Sequence, residues 1–200
     1  MERRSRRAAS GTFARRSEVT NKPRRGLFVG RFQPFHLGHL GAIKTALEHV
    51  QELIIVVGSA EYSHSDKNPF TAGERIEMIL AAMKEANIDS ARYVVIPVRD
   101  VHIHATWVPF IVSQVPSFDI VFTNEPLTSR LFKERGYRVE RIPFFERTAY
   151  SATEIRKRIL DGKNWESLVP KSTAELLVGF GGIERIRELA MTDNPRPSRR

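Results

Sequence analysis

The sequence predicts an α/β fold: a Rossmann-like, doubly wound parallel sheet of five to six strands with a C-terminal helical segment. Three observations predict it. Short apolar runs alternate with segments of helical spacing. Two of the runs, Leu53–Val57 and Tyr93–Val98, are dense in Ile and Val, as strands covered on both faces are. A chain of 200 residues is long enough for one domain with a sizeable core.

The first strand is read at Leu27–Val29 and leads into a helix over 38–50, where Leu40, Ile43, Leu47 and Val50 recur at helical spacing. Strand Leu53–Val57, a helix over 72–86, strand Tyr93–Val98 and a helix over 105–114 follow. Strand Ile120–Thr123, a helix over 126–135 and a weaker strand Tyr137–Ile142 complete the alternation. Such repeated β-α-β units imply right-handed crossovers and an open sheet. Beyond Ile142 the pattern is helical only, over 152–161, 171–179 and 183–190. Thr71-Ala72-Gly73-Glu74, Ser151-Ala152-Thr153-Glu154 and Ser172-Thr173-Ala174-Glu175 fit capping boxes, and Gly136 and Gly162 fit C-terminal helix stops.

The formal net charge of +9 is unevenly distributed. Residues 1–25 carry nine Lys/Arg against Glu2 and Glu18, a net +7, and residues 191–200 carry three Arg against Asp193, a net +2. The remainder, 26–190, is neutral and is expected to be the folded domain. The head (1–25) and tail (191–200) are expected to be disordered, because they offer too few apolar side chains to bury. The head also fits a transit-like peptide, an anion-binding arm or an upstream extension before a start near Val19. A neutral domain argues against nucleic acid as its partner. The absence of cysteine excludes disulfides, thiolate metal sites and a Cys nucleophile. With no apolar run of membrane-spanning length and no secretory core, a cytoplasmic protein is expected.

The most informative segment is Gly30-Arg31-Phe32-Gln33-Pro34-Phe35-His36-Leu37-Gly38-His39. It joins the first strand to the first helix. A helix N-terminus offers free N–H groups and a positive dipole end, and its glycines allow close backbone approach. His36 and His39, three residues apart, can look into one pocket. As metal ligands they would want a third donor and a carboxylate base, and His-Glu-x-x-His is absent; as isolated residues they would read as ordinary half-buried histidines. Beside Gly30, Arg31 and a helix start, contact with a nucleotide phosphate is the favoured reading.

This segment resembles the (T/H)-x-G-H signature of the nucleotidyltransferase superfamily, and its full string resembles the nicotinamide-nucleotide adenylyltransferase branch. A second stretch, Tyr150-Ser151-Ala152-Thr153-Glu154-Ile155-Arg156, is similar to the superfamily's Ser-x-Thr-x-x-Arg element. Gly58-Ser59-Ala60, Ser63-His64-Ser65, Asn68 to Arg75 and Trp107-Val108 resemble the archaeal form. The resemblance spans about residues 26–190 and implies adenylyl transfer from ATP to nicotinamide mononucleotide (NMN), giving NAD and pyrophosphate. It implies Mg²⁺ held mainly by the ATP phosphates rather than by protein ligands. It further implies a homo-oligomer, a hexamer in the family, and relatives often accept the nicotinic acid nucleotide too. The residue chemistry agrees independently: the acceptor phosphate is itself the nucleophile, so the protein needs only to align two anions and neutralise the departing pyrophosphate.

The resemblance assigns ATP contacts to Gly30, Arg31, Phe32, Gln33, His36, His39, Ser151, Thr153 and Arg156, with His36, His39, Arg31 and Arg156 as the catalytic set. Ser151 and Thr153 read equally as plain helix caps. NMN contacts fall to Trp107, whose indole suits a cationic pyridinium but also reads as a core or interface ring, and to Lys67, His104 and Ser59. Lys67 stands where relatives commonly have Arg, which keeps the charge and loses the bidentate fork; His104 replaces a common Asn. His64 reads as a pocket or a loop residue. Phe144, Phe145 and Tyr150 could line the adenine or pack in the core. Two rival functions remain at this point: another acceptor of the superfamily (phosphopantetheine, FMN or an alcohol phosphate), or a non-catalytic nucleotide- or nucleic-acid-binding regulator.

Overall fold

The computed structural model describes residues 24–142 and 150–192. Five strands form one sheet: β1 (Arg25–Gly30), β2 (Glu52–Val57), β3 (Tyr93–Pro97), β4 (Ile120–Phe122) and β5 (Arg138–Glu140). Their order is β3-β2-β1-β4-β5 and every pairing is parallel. The order reverses between β1 and β4, the hallmark of a doubly wound sheet, in which the crevice beyond the strand ends at the reversal takes the ligand.

Side-chain alternation along the strands builds a core on each face. In β2, Leu53, Ile55 and Val57 enter one cluster and Ile54 and Val56 the other; in β4, Ile120 and Phe122 oppose Val121 in the same way. The first cluster is closed by α1 (Leu37–His49), α2 (Ala72–Glu85), α5 (Ala152–Leu160), α6 (Lys171–Gly179) and α7 (Gly182–Thr192). The second is closed by α3 (His104–Gln114) and α4 (Pro126–Glu134). All five side chains of Leu53–Val57 are fully buried, at about 1.5–3 kcal/mol for each large aliphatic. That explains why this run was the plainest strand in the sequence.

Element boundaries move by a residue or two from the expected ones, with local causes. β1 reaches back to Arg25, inside the expected head, because Arg25 Nε pairs with Glu52 Oε2 across the strands at 2.6 Å. α7 runs to Thr192, one turn's edge into the expected tail. Gly136 and Gly162 do end helices, at φ +81° and +65°. The capping-box reading of 172–175 is corrected: α6 starts at Lys171, and the free N–H groups of Lys171 and Ser172 donate to the Glu85 carboxylate at 3.2 and 2.8 Å. The cap comes from the end of α2, which local sequence cannot reveal. Thr71 and Glu74 form the complete box, whereas Ser151 caps α5 alone because Glu154 turns to Arg158.

Candidate active site

The end of β1 opens on a cleft of about 290 Å³ at the strand-order reversal. Gly30 and Arg31 line it from β1, Gly58 and Ser59 from β2, Asp100 from beyond β3, Trp107 from α3, and Glu125 and Thr128 from the start of α4. An outer recess of about 380 Å³ shares Arg31, Ser59, Asp100 and Trp107 and adds His104, Leu127 and Leu131. Trp107 is half-buried, its ring edge-on to Phe132 with centroids 5.6 Å apart.

His36 is the N-cap of α1, and its Nδ1 accepts the N–H of His39 at 3.3 Å. A neutral imidazole that accepts at Nδ1 carries its proton on Nε2, which is then the donor end of the ring. The His39 ring stacks on that of His36, with centroids 3.5 Å apart, and stands edge-on to Phe32. His39 Nδ1 is buried without a hydrogen-bond partner among the described residues. Burial draws His36 down from 6.5 to about 4. It draws His39 well below its ordinary value too, with the charge of His36 adding to the effect.

Phe32 and Gln33 turn inward. Phe32 is 1% exposed at φ +53° and fills the space a side chain on Gly30 would need, its ring 2.7 Å from that Cβ position. Gln33 makes a two-point bond with the Phe70 backbone: Nε2 donates to O at 3.0 Å and Oε1 accepts from N at 2.9 Å. Their side chains therefore shape the loop, and the backbone is what they present outward.

The second signature meets the first. Arg156, on α5, donates to Gln33 O at 2.7 Å. Ser151 Oγ accepts from Glu154 N at 3.1 Å as the α5 cap, and Thr153 is exposed on the first turn. Tyr150 packs on the core edge close to Gly38.

The cytidylyltransferase-like family pattern matches residues 27–158. The nicotinamide-nucleotide adenylyltransferase of Pyrococcus furiosus is 51% identical over 84% of this chain and 89% of its own length. That of Saccharolobus solfataricus is 47% identical over 84% of this chain and 98% of its own. This chain belongs to the nicotinamide-nucleotide adenylyltransferase family. A crystal structure of a bifunctional NMN adenylyltransferase/ADP ribose pyrophosphatase from Francisella tularensis, complexed with AMP and a manganese ion, superposes with a TM-score of 0.73 at 26% identity. It covers 86% of this chain, and this chain spans 53% of it.

The remaining predicted site residues are dispersed. Ser59 lines the cleft at φ +49° and His104 lines the outer recess as the first residue of α3. Lys67 is exposed and lies outside both linings; His64, exposed, bonds to Ser63 Oγ at 2.9 Å. Phe144 and Phe145 lie outside the described residues.

One residue that sequence reasoning passed over is Arg75. It occupies the buried stripe of α2 with Met78, Ile79, Ala82 and Met83 and is 0% exposed. An arginine at the i position of an apolar i, i+3, i+4, i+7 stripe was the signal available, since charged side chains are almost never buried without a purpose.

Proposed function

We propose that the protein joins ATP and NMN into NAD and pyrophosphate by in-line attack of an NMN phosphate oxygen on the α-phosphorus of ATP. The new P–O bond forms as the bond from Pα to the bridging oxygen breaks, and pyrophosphate leaves with that bond's electrons. No enzyme nucleophile is needed, so catalysis is alignment and charge stabilisation. The observation that supports this reading is that Gly30, Arg31, Ser59 and Trp107 line one cleft at the strand-order reversal, while the stacked His36–His39 pair follows the same turn and Arg156 bonds to it at Gln33 O.

In this reading His36 and His39 donate to ATP phosphates and His39 stabilises the transition state. Arg31 contacts the triphosphate, Arg156 grips its β- and γ-phosphates, and the α5 N-terminus capped by Ser151 adds its dipole, with Thr153 beside it. Gly30, Phe32 and Gln33 serve ATP through their backbone. Trp107 stacks on the pyridinium, with Ser59 and His104 at that end and Lys67 toward phosphate. Among the described residues no three His, Asp or Glu gather to hold a metal. Mg²⁺ would come with the triphosphate oxygens and would supply charge neutralisation there.

We read the protein as a cytoplasmic homo-oligomer, a hexamer, that acts without nucleic acid. No helix among the described residues is long and apolar enough to cross a membrane.

Pyrophosphate release with ATP and Mg²⁺ tests the reaction. NMN, nicotinic acid mononucleotide, phosphopantetheine, FMN and glycerol 3-phosphate are compared, and the dinucleotide is identified by mass. Turnover with NMN is expected. Turnover with another acceptor alone would overturn the role of Trp107, and none with any would return the regulator to the front.

A further inference from the structure

We propose that Arg75 is a positioning residue that locks the turn after β1 to the turn after β2 and so fixes the two walls of the nucleotide cleft. Its hydrogen bonds all go to backbone carbonyls. Nη1 donates to Arg31 O at 3.1 Å and to Gly58 O at 2.9 Å, Nη2 donates to Ser59 O at 3.2 Å, and Nε donates to Thr71 O at 3.1 Å. Thus one planar fork spans residues from both cleft walls and anchors them to the first turn of α2. None of these bonds goes to a carboxylate. The neighbouring Glu74 gives both its oxygens to Arg185, at 2.7 and 2.8 Å.

The carbonyls it holds belong to strained turns. Arg31 precedes Phe32 at φ +53°, and Ser59 itself sits at φ +49°. Non-glycine residues stay in the left-handed region only where the surroundings over-determine them. A single rigid guanidinium that binds both turns supplies that determination. The side chains of Arg31 and Ser59 then face the cleft at a set separation.

A second consequence is electrostatic. Burial of Arg75 opposes its charge and draws it down from its ordinary value to about 10; Glu61 and Glu74 resist the fall, and Arg31 adds to it. It stays protonated at neutral pH, a buried cation behind a cleft meant for a tetra-anionic substrate. Lysine cannot replace it: an ammonium is a point donor and cannot reach four carbonyls arranged around a plane.

This inference rests on the cleft being the adenylyl-transfer site, and the experiment separates the two. Arg75→Lys is compared with Met78→Ala, a change in the same buried stripe that touches neither turn. Thermal midpoint, ATP affinity by calorimetry and NMN turnover are measured for each. With Arg75→Lys, kcat/KM and ATP affinity are expected to fall about 10- to 100-fold, the effect of misplacing a site by about an ångström. Met78→Ala is expected to lower the thermal midpoint with kcat and KM unchanged. Kinetic constants within twofold of wild type for Arg75→Lys would overturn the proposal. So would losses in both variants that simply follow their thermal midpoints. Were the wild type itself inactive with NMN, the reaction assigned above would fail, and ATP affinity would still decide the role of Arg75.

Discussion

The imidazole of His36 lies stacked on that of His39, ring centroids 3.5 Å apart and planes 22° from parallel. Burial opposes the charged form of each ring and holds both below their ordinary range, and for His39 the charge of His36 adds to the effect. They are neutral at pH 7 before nucleotide arrives. In the proposed reaction a triphosphate lies against them, which favours the charged form and raises both. ATP binding is therefore expected to take up protons near pH 6 and to tighten as pH falls from 8 to 6. Calorimetry in two buffers of different ionisation enthalpy measures this. No buffer dependence would mean that the pair binds phosphate as neutral donors only.

The same displacement fixes the acid stability of the free protein. The folded state holds His36 near 4 whereas the unfolded chain takes its proton near 6.5. Stability is then whole above about pH 6.5 and is lost as pH falls toward 4, because the unfolded state binds the proton first. The loss from His36 alone reaches about 2 kcal/mol at pH 5 and about 3 kcal/mol at pH 4, by proton linkage. His36→Asn keeps a good N-cap and removes the titration. Urea denaturation at pH 7 and pH 5 should show the pH 5 loss shrinking in the variant.

His39→Ala removes a ring whose Nδ1 has no hydrogen-bond partner among the described residues and which the proposed reaction assigns to the ATP phosphates. Its kcat is expected to fall about 100- to 1000-fold, the usual effect of losing one transition-state donor. KM for NMN should stay within about threefold. Steady-state kinetics separate the two, and an unchanged kcat would remove His39 from the chemistry.

Much of this was legible in the chain because the signals were local. Leu53–Val57 needed no context to read as a buried strand, and the His36-x-x-His39 spacing put both rings at one helix start. What was not legible depends on contacts distant in sequence. Gln33 reads as a polar site residue until Phe70, 37 positions on, is seen to hold both ends of its amide. Ser172 looks like a cap until Glu85 is found capping the helix from another element. Arg75 is the intermediate case: its place in the apolar stripe was visible, but its targets at Arg31 and Ser59 were not.

Arg185 clamps α7 to the start of α2 through Glu74, with both side chains under one-fifth exposed. It also donates to Pro69 O at 3.2 Å, so the clamp holds the loop that carries Lys67. Burial raises the Glu74 carboxyl, but the bonds from Arg185 and Thr71 outweigh it and hold it below its ordinary value. A carboxylate lowered on folding stabilises above its unfolded value near 4.5, and that contribution is lost as pH falls through the folded value. Arg185→Met is expected to cost about 1–3 kcal/mol at pH 7 by leaving Glu74 half-buried and poorly paired. The gap to wild type should narrow at pH 3. Denaturation curves at the two pH values check it, and a gap independent of pH would assign the loss to packing.

Gly38 sets two rules against each other. In an ordinary helix, replacing glycine by alanine gains about 1 kcal/mol. Here a Cβ would lie 2.9 Å from the Cβ of Tyr150 and 3.1 Å from His36 Nδ1. The Tyr150 atom sits next to its own backbone at the start of α5 and cannot swing aside as a side-chain tip can. Something must shift, and overpacking of this kind costs about 1–3 kcal/mol. The ring of His36 is the freer of the two neighbours, so it moves, and its bond to the His39 N–H opens. Gly38→Ala should therefore lower the thermal midpoint or leave it unchanged while cutting kcat/KM by about 10-fold or more. A midpoint that rises with kinetics intact would show that α1 and α5 can part at no cost to the site, and the close approach would then be packing alone.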